Sequence, residues 1–293
     1  MIRLDAAMVL LQWAVGGMAF CWFTTRRREV GLGYGWLLRG IFLLLAAGAF
    51  AAGIAGGTVI IREAAALGVV AACLVALGVS IARRKAGVSG QRSEHDRRTA
   101  RVAAMTGIAR PGTTAPSAPN PDSREFPPAL DLAPVAVGAL GLVAAAIDAG
   151  GNPVVSLLRT FAGAALLGAV TDAMLLGHWY LVQPGLPRRL LHELVDAVRW
   201  VWPLEVVAML LPIGMVSVWT GAIDDGWGGT LGWFWAACAV TTIVLVAITK
   251  AALREREYSA VMAATGLLYL AILTAFGTDL VARAVLALSL IHI

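Results

Sequence analysis

Apolar residues run along this chain in long blocks separated by short polar stretches. A bilayer core of about 30 Å takes roughly 20 residues of helix to cross. Eight blocks meet that length, near residues 6–23, 36–56, 64–82, 130–149, 154–181, 200–220, 229–249 and 258–276. The alternating ten-residue segments of a barrel are absent, and open strands would leave backbone groups unsatisfied in lipid. The pattern therefore predicts an all-α fold, a polytopic transmembrane helical bundle of about eight spans.

Composition excludes the soluble alternatives. The 293 residues are 59% hydrophobic and 14% charged, with a mean hydropathy of +0.79, whereas soluble domains carry about 25% charged residues. Disordered, collagen-like and disulfide-scaffold chains fail the same comparison. The three cysteines, Cys21, Cys73 and Cys238, each sit inside an apolar run. Without a C-x-x-C pair they offer neither a thiolate metal site nor c-type haem attachment, and they read as small core hydrophobes.

The charges fix an orientation. Arg26 to Arg28 follow the first span, Arg83, Arg84 and Lys85 the third, Arg188 and Arg189 the fifth, and Lys250, Arg254 and Arg256 the seventh. Arg62 with Glu63, then Asp148, then Asp224 and Asp225, mark the opposite ends. With eight spans every basic cluster falls on one side, the cytoplasmic side by the positive-inside rule. The expectation is a multi-pass protein of a prokaryotic cytoplasmic (inner) membrane, N-terminus outside. The first span reads as a retained helix, since its arginines follow the apolar run instead of preceding it as in a signal peptide.

Four segments result: three helices in 1–82, a linker in 83–129, five helices in 130–287, and an odd end in 288–293. The linker is basic, with nine Lys and Arg against four acids and six of the twelve prolines. Its second part, from Pro111 to Pro121, reads as a disordered cytoplasmic connector. Its first part reads as a solvated positive-inside loop, with contact to anionic headgroups as the alternative. With no aromatic residue before Phe126 to stack on bases, no nucleic-acid partner is expected. The expected partners are the lipid bilayer and other membrane-protein subunits. Residues Leu288 to Ile293 resemble a translation of a transposon mosaic-end sequencing adapter, and predict that the natural chain continues beyond Ala287.

Ionisable groups inside spans cost at least about 2.5–3.5 kcal/mol on insertion scales, so they mark function or paired structure. Here they are Arg39, Arg159, Asp172, Glu205, Asp279 and Arg283, with His178 at a helix end. Counting depth from the span ends places Arg39, Asp172, His178 and Glu205 near the inner surface, and Arg159, Asp279 and Arg283 in the outer half. The first four converge if their helices are neighbours. The plainer expectation for Arg39, Asp172 and Glu205 is a structural Arg–carboxylate pair holding helices in register.

The densest motif is Gly177-His178-Trp179-Tyr180-Leu181-Val182-Gln183-Pro184-Gly185. Belt aromatics and a helix stop explain all of it except His178 and Gln183. A histidine there can ligate haem iron, donate to a quinone, or shuttle protons. His192 lies in 190–199, whose apolar spacing predicts an amphipathic surface helix. It reads as a solvated histidine on the polar side of that helix, and completes a two-histidine haem b site only if the Pro184–Pro187 turn folds the helix back over His178. The candidate cofactor-binding set is thus His178, His192, Trp179 and Gln183, for haem b or a quinone. P-loop, G-x-S-x-G, H-E-x-x-H and dinucleotide motifs are missing, so no catalytic or metal residue is assigned.

Three functions fit: a haem- or quinone-binding subunit of an electron-transfer complex, a proton- or cation-coupled secondary transporter using Asp172 and Glu205, or a scaffold without a small ligand.

Overall fold

A computed structural model describes residues 5–89, 124–183, 186–212, 214–255 and 257–288. The greater part of the linker (90–123) and the adapter-like residues 289–293 lie outside them. The helices are α1 (Ala6–Thr25), α2 (Leu32–Gly56), α3 (Ile60–Ala82), α4 (Leu132–Asp148), α5 (Pro153–Val182), α6 (Arg189–Leu210), the single turn α7 (Val216–Trp219), α8 (Thr230–Ala252) and α9 (Tyr258–Leu288). Single 3₁₀ turns cover Arg84–Ala86 and Pro128–Asp131. No strand occurs among the described residues. The chain is an all-α bundle, and seven helices are long and apolar enough to cross a membrane.

The eighth, α6, differs from its expected form. The sequence predicted a surface helix over 190–199 followed by a span from about Trp200. Instead Arg189–Leu210 is one continuous helix of 22 residues. Leu190, Leu191, Leu194, Val195 and Val198 are buried in the main core, so the amphipathic stripe packs on protein, against α5. Pro203 is accommodated inside the helix, and α6 stops at Leu210, just before Pro212.

α1 and α5 form the centre. α1 packs on α2, α4 and α5, and α5 also on α6 and α9, while α8 lies along α9. Two glycines let α1 and α5 cross backbone to backbone. A Cβ on Gly16 would stand 1.8 Å from the Ala164 carbonyl oxygen, and one on Gly168 2.2 Å from the Gly16 carbonyl carbon. Without a hydrophobic drive between helices in lipid, such close contact is what associates them.

Polar contacts show that the basic clusters share one end of the bundle. Arg27 pairs with Glu193 at 2.7 Å, Arg189 with Glu29, Lys250 with Asp196, and Arg28 with Glu125 at 3.0 Å. The linker's described ends meet there too, Ser89 Oγ donating to Glu125 at 3.1 Å. At the opposite end Arg62 binds Asp5 and chelates its neighbour Glu63, with Nε to Oε2 at 2.8 Å.

Candidate functional site

The residues of the aromatic–histidine motif part company in space. Trp179 packs on Tyr34 with ring centroids 5.9 Å apart, and its Nε1 donates to Gln183 at 3.2 Å. The same Gln183 oxygen accepts from the Gly31 amide at 3.0 Å, which ties the end of α5 to the α1–α2 turn. His178 is rotated to the outside of the bundle, exposed, with Nδ1 3.4 Å from the hydroxyl of Tyr269 on α9. His192 lies half-buried on the separate helix α6.

Arg39 has a partner the sequence reading did not weigh. Its Nε and Nη2 each lie 2.7 Å from an oxygen of Asp131, a two-pronged pair in which both side chains are buried. Phe126 stacks beneath the guanidinium at 4.2 Å. Thr25 donates to Asp131 and Arg39 to Ser80, both at 3.3 Å. Ends of α1, α2, α3 and the turn leading into α4 therefore converge on one ion pair, which is set apart from Asp172 and Glu205.

Glu205 lies with the outer group. It stands sixteen residues past Arg189, about 24 Å along the helix at 1.5 Å per residue. Depth counted from Trp200 missed this length. The charged groups acting on it are Asp279, Arg283 and Arg159. All four are buried. Arg283 Nε holds Asp279 Oδ2 at 2.8 Å across one turn of α9, and its Nη1 touches the Met8 sulfur at 3.7 Å.

Arg159 has a structural task. Its Nε donates to the Ala208 carbonyl at 3.0 Å, and its Nη2 to the Leu211 carbonyl. The Ala208 carbonyl would normally accept from the amide four residues on, and Pro212 has none. A buried cation thus closes the carbonyls that the end of α6 leaves open.

What remains open in this cluster is a set of acceptors. Both carboxyl oxygens of Glu205, Oδ1 of Asp279 and Oε1 of Gln12 are buried without a hydrogen-bond donor, and so is one donor, Nη2 of Arg283. Gln12 is held from its other side, Nε2 donating to the Thr160 carbonyl at 2.6 Å. Gly163 makes the space, since a Cβ there would lie 2.6 Å from Asp279 Oδ1 and 2.8 Å from Gln12 Nε2. Buried polar groups are nearly always paired, so such a concentration of open acceptors has the chemistry to take up a proton or a cation.

Two further features lie on either side. Asp172 is wholly buried with neither oxygen hydrogen-bonded. It is nine residues from Gly163 toward the basic end of α5, about 13 Å along the helix. On the other side a cavity of about 610 Å³ opens at the end opposite the basic clusters, lined by Asp5, Gly57, Arg62, Asp148 and Ala287. Ala287 is one turn beyond Arg283, and Asp5 one turn before Met8.

Sequence reading missed Gln12, Asp131 and Gly163 as site members. Gln12 is uncharged and so escaped a search for ionisable groups, although an amide inside an apolar span was the available signal. Asp131 stands at the first residues of its span, where a carboxylate usually needs no explanation. Gly163 carried only a packing signal. Among the described residues no cluster of three or more His, Cys, Asp or Glu offers a metal site. The chain matches no protein-family model, no curated protein and no solved structure.

Proposed function

We propose that this chain is a proton- or cation-coupled secondary transporter, with its basic end facing the cytoplasm. The observation that carries the reading is the Glu205–Asp279 pair, two carboxyls buried inside the bundle with three oxygens open and two arginines beside them. An acid pair of this kind holds one proton or one small cation in exchange for a modest rearrangement. Asp172 supplies a second station toward the basic end, and the 610 Å³ vestibule an approach from the other. The haem or quinone reading lacks this support: His178 stands exposed, and Trp179 and Gln183 are spent on helix packing.

The test uses dicyclohexylcarbodiimide, which modifies protonated carboxyls in apolar surroundings. In the reconstituted full-length protein, labelling is expected at Glu205 or Asp279, falling as pH is raised, blocked by a competing cation if one is the coupling ion, and lost in Glu205→Gln. Glu205→Gln is also expected to abolish pH-driven uptake across a solute panel, while His178→Ala retains it. Labelling confined to surface carboxyls would overturn the reading. So would a reduced-minus-oxidised spectrum with Soret and α bands that vanish in His178→Ala, which would restore haem.

A further inference from the structure

A second site lies apart from the buried carboxyls, where α6 and α8 diverge at the basic end. Arg199 from α6, Lys250 from the last turn of α8 and Arg254 just beyond that helix border a cavity of about 320 Å³. Its floor is apolar, with Ile243, Val246 and Ala247 on the α8 side. Lys250 is shared with Asp196, but Arg199 and Arg254 are exposed and have no ion-pair partner among the described residues. Three cations against one carboxylate leave the rim with a surplus of two positive charges.

The apolar floor runs inward from that rim. Ile243 is seven residues before Lys250, about 10 Å toward the membrane centre at 1.5 Å per residue. Trp200, next to Arg199, is 72% exposed and adds an uncovered aromatic face beside the rim. Cations at the mouth and an apolar channel below complement one kind of molecule, an anionic head with a hydrocarbon tail.

We propose that the α6–α8 groove binds an anionic phospholipid, its phosphate held by Arg199, Lys250 and Arg254 and an acyl chain laid along Ile243, Val246 and Ala247. A free phosphate would use the rim alone and gain nothing from the floor. A zwitterionic lipid would fill the floor but bring its own cation to an already cationic rim. The site reads charge as basic pockets between spans do elsewhere, and is independent of the transport reading.

The experiment is native mass spectrometry and thermal melting of the detergent-purified full chain, titrated with phosphatidylglycerol, phosphatidylcholine or inorganic phosphate. Phosphatidylglycerol is expected to be retained and to raise Tm, the other two not. Arg199→Gln with Arg254→Gln is expected to weaken phosphatidylglycerol by roughly tenfold or more. Arg84→Gln with Lys85→Gln, which removes the same charge elsewhere at this end, is expected to leave it unchanged. Ala247→Trp, which blocks the channel and spares every cation, is expected to weaken it as well, and covers the case in which the arginine variant fails to fold. Equal response to phosphatidylcholine, an equal response to phosphate alone, an equal loss in the control pair, or full binding in Ala247→Trp would each overturn the site.

Discussion

At the scale of single residues, this bundle holds its charges in three different ways, and each predicts a different response to substitution. The Arg39–Asp131 pair is fully satisfied, with two 2.7 Å contacts and an aromatic ring beneath. Removing one member of such a pair leaves the other charge buried and alone, at about 3–5 kcal/mol. Arg39→Leu or Asp131→Asn should therefore lower Tm sharply in detergent, while Arg39→Leu combined with Asp131→Leu recovers most of the loss. A double variant no better than the singles would mean the pair does more than balance charge. Asp172 is the opposite case, with no donor to lose. Asp172→Asn should leave stability within about 1 kcal/mol of the parent and abolish pH-driven uptake. A variant that melts early would make Asp172 a structural group. Asp225 is the third case, in the loop before α8. Its carboxylate accepts from the amides of Trp227, Gly229 and Leu231 at 2.8–2.9 Å, and the bond from Gly229 leads in holding its pKa below the ordinary 3.8. A depressed carboxyl pKa contributes stability that is present above the unfolded value and lost as pH falls through the folded one. Amide protection at Gly229 and Leu231 should thus persist down through the ordinary carboxylate range and be lost only below it, and Asp225→Ala should show the weak protection at every pH.

At the scale of elements, the α1–α5 crossing decides whether the central pair forms at all. Gly16 and Gly168 bring main chains together so closely that any side chain meets backbone, which cannot rotate away. Gly16→Ala is expected to cost about 1–3 kcal/mol through forced separation of the two helices. It should also disturb the buried acid cluster, because Gln12 lies one turn before Gly16 and Gly163 just over one turn before Gly168. A Gly16→Ala protein with unchanged Tm and unchanged carbodiimide labelling would show that the crossing relaxes freely. Element ends were legible in the sequence wherever lipid length alone set them, as in α1, α2, α3 and α5. The start of α6 was not. A polar-and-apolar stripe over 190–199 looks the same whether its apolar side meets lipid headgroups or the flank of α5, and only the packed partner distinguishes the two. That ambiguity displaced Glu205 by more than two turns and assigned it to the wrong depth, although Arg159, Asp279 and Arg283 were grouped correctly by the same counting. The pairing of Arg39 with Asp131 spans 92 residues, and no local pattern encodes it.

At the scale of the whole molecule, the arrangement turns on whether α6 crosses the membrane. Its charged first half keeps it outside the seven helices that are apolar enough by composition, yet the contacts of its two ends leave little choice. Its start is bonded to the basic end through Arg27–Glu193 and Lys250–Asp196. Its far end, at Ala208 and Leu211, is capped by Arg159, only six residues into α5 from the opposite end. A helix fixed at both ends of the bundle traverses it, and the eight-span count that put every basic cluster on one side follows. Cysteine accessibility checks this directly, because Cys21, Cys73 and Cys238 are all buried and form a quiet background. Thr58→Cys and Asp224→Cys should react with a membrane-impermeant maleimide from outside intact cells. Ser89→Cys and Glu255→Cys should react only after permeabilisation. If α6 lay on the surface instead, Asp224→Cys would change sides and label with Ser89→Cys. The Arg159 caps and the Glu205–Asp279 pair would then be broken together, and with them the case for an ion held inside the membrane.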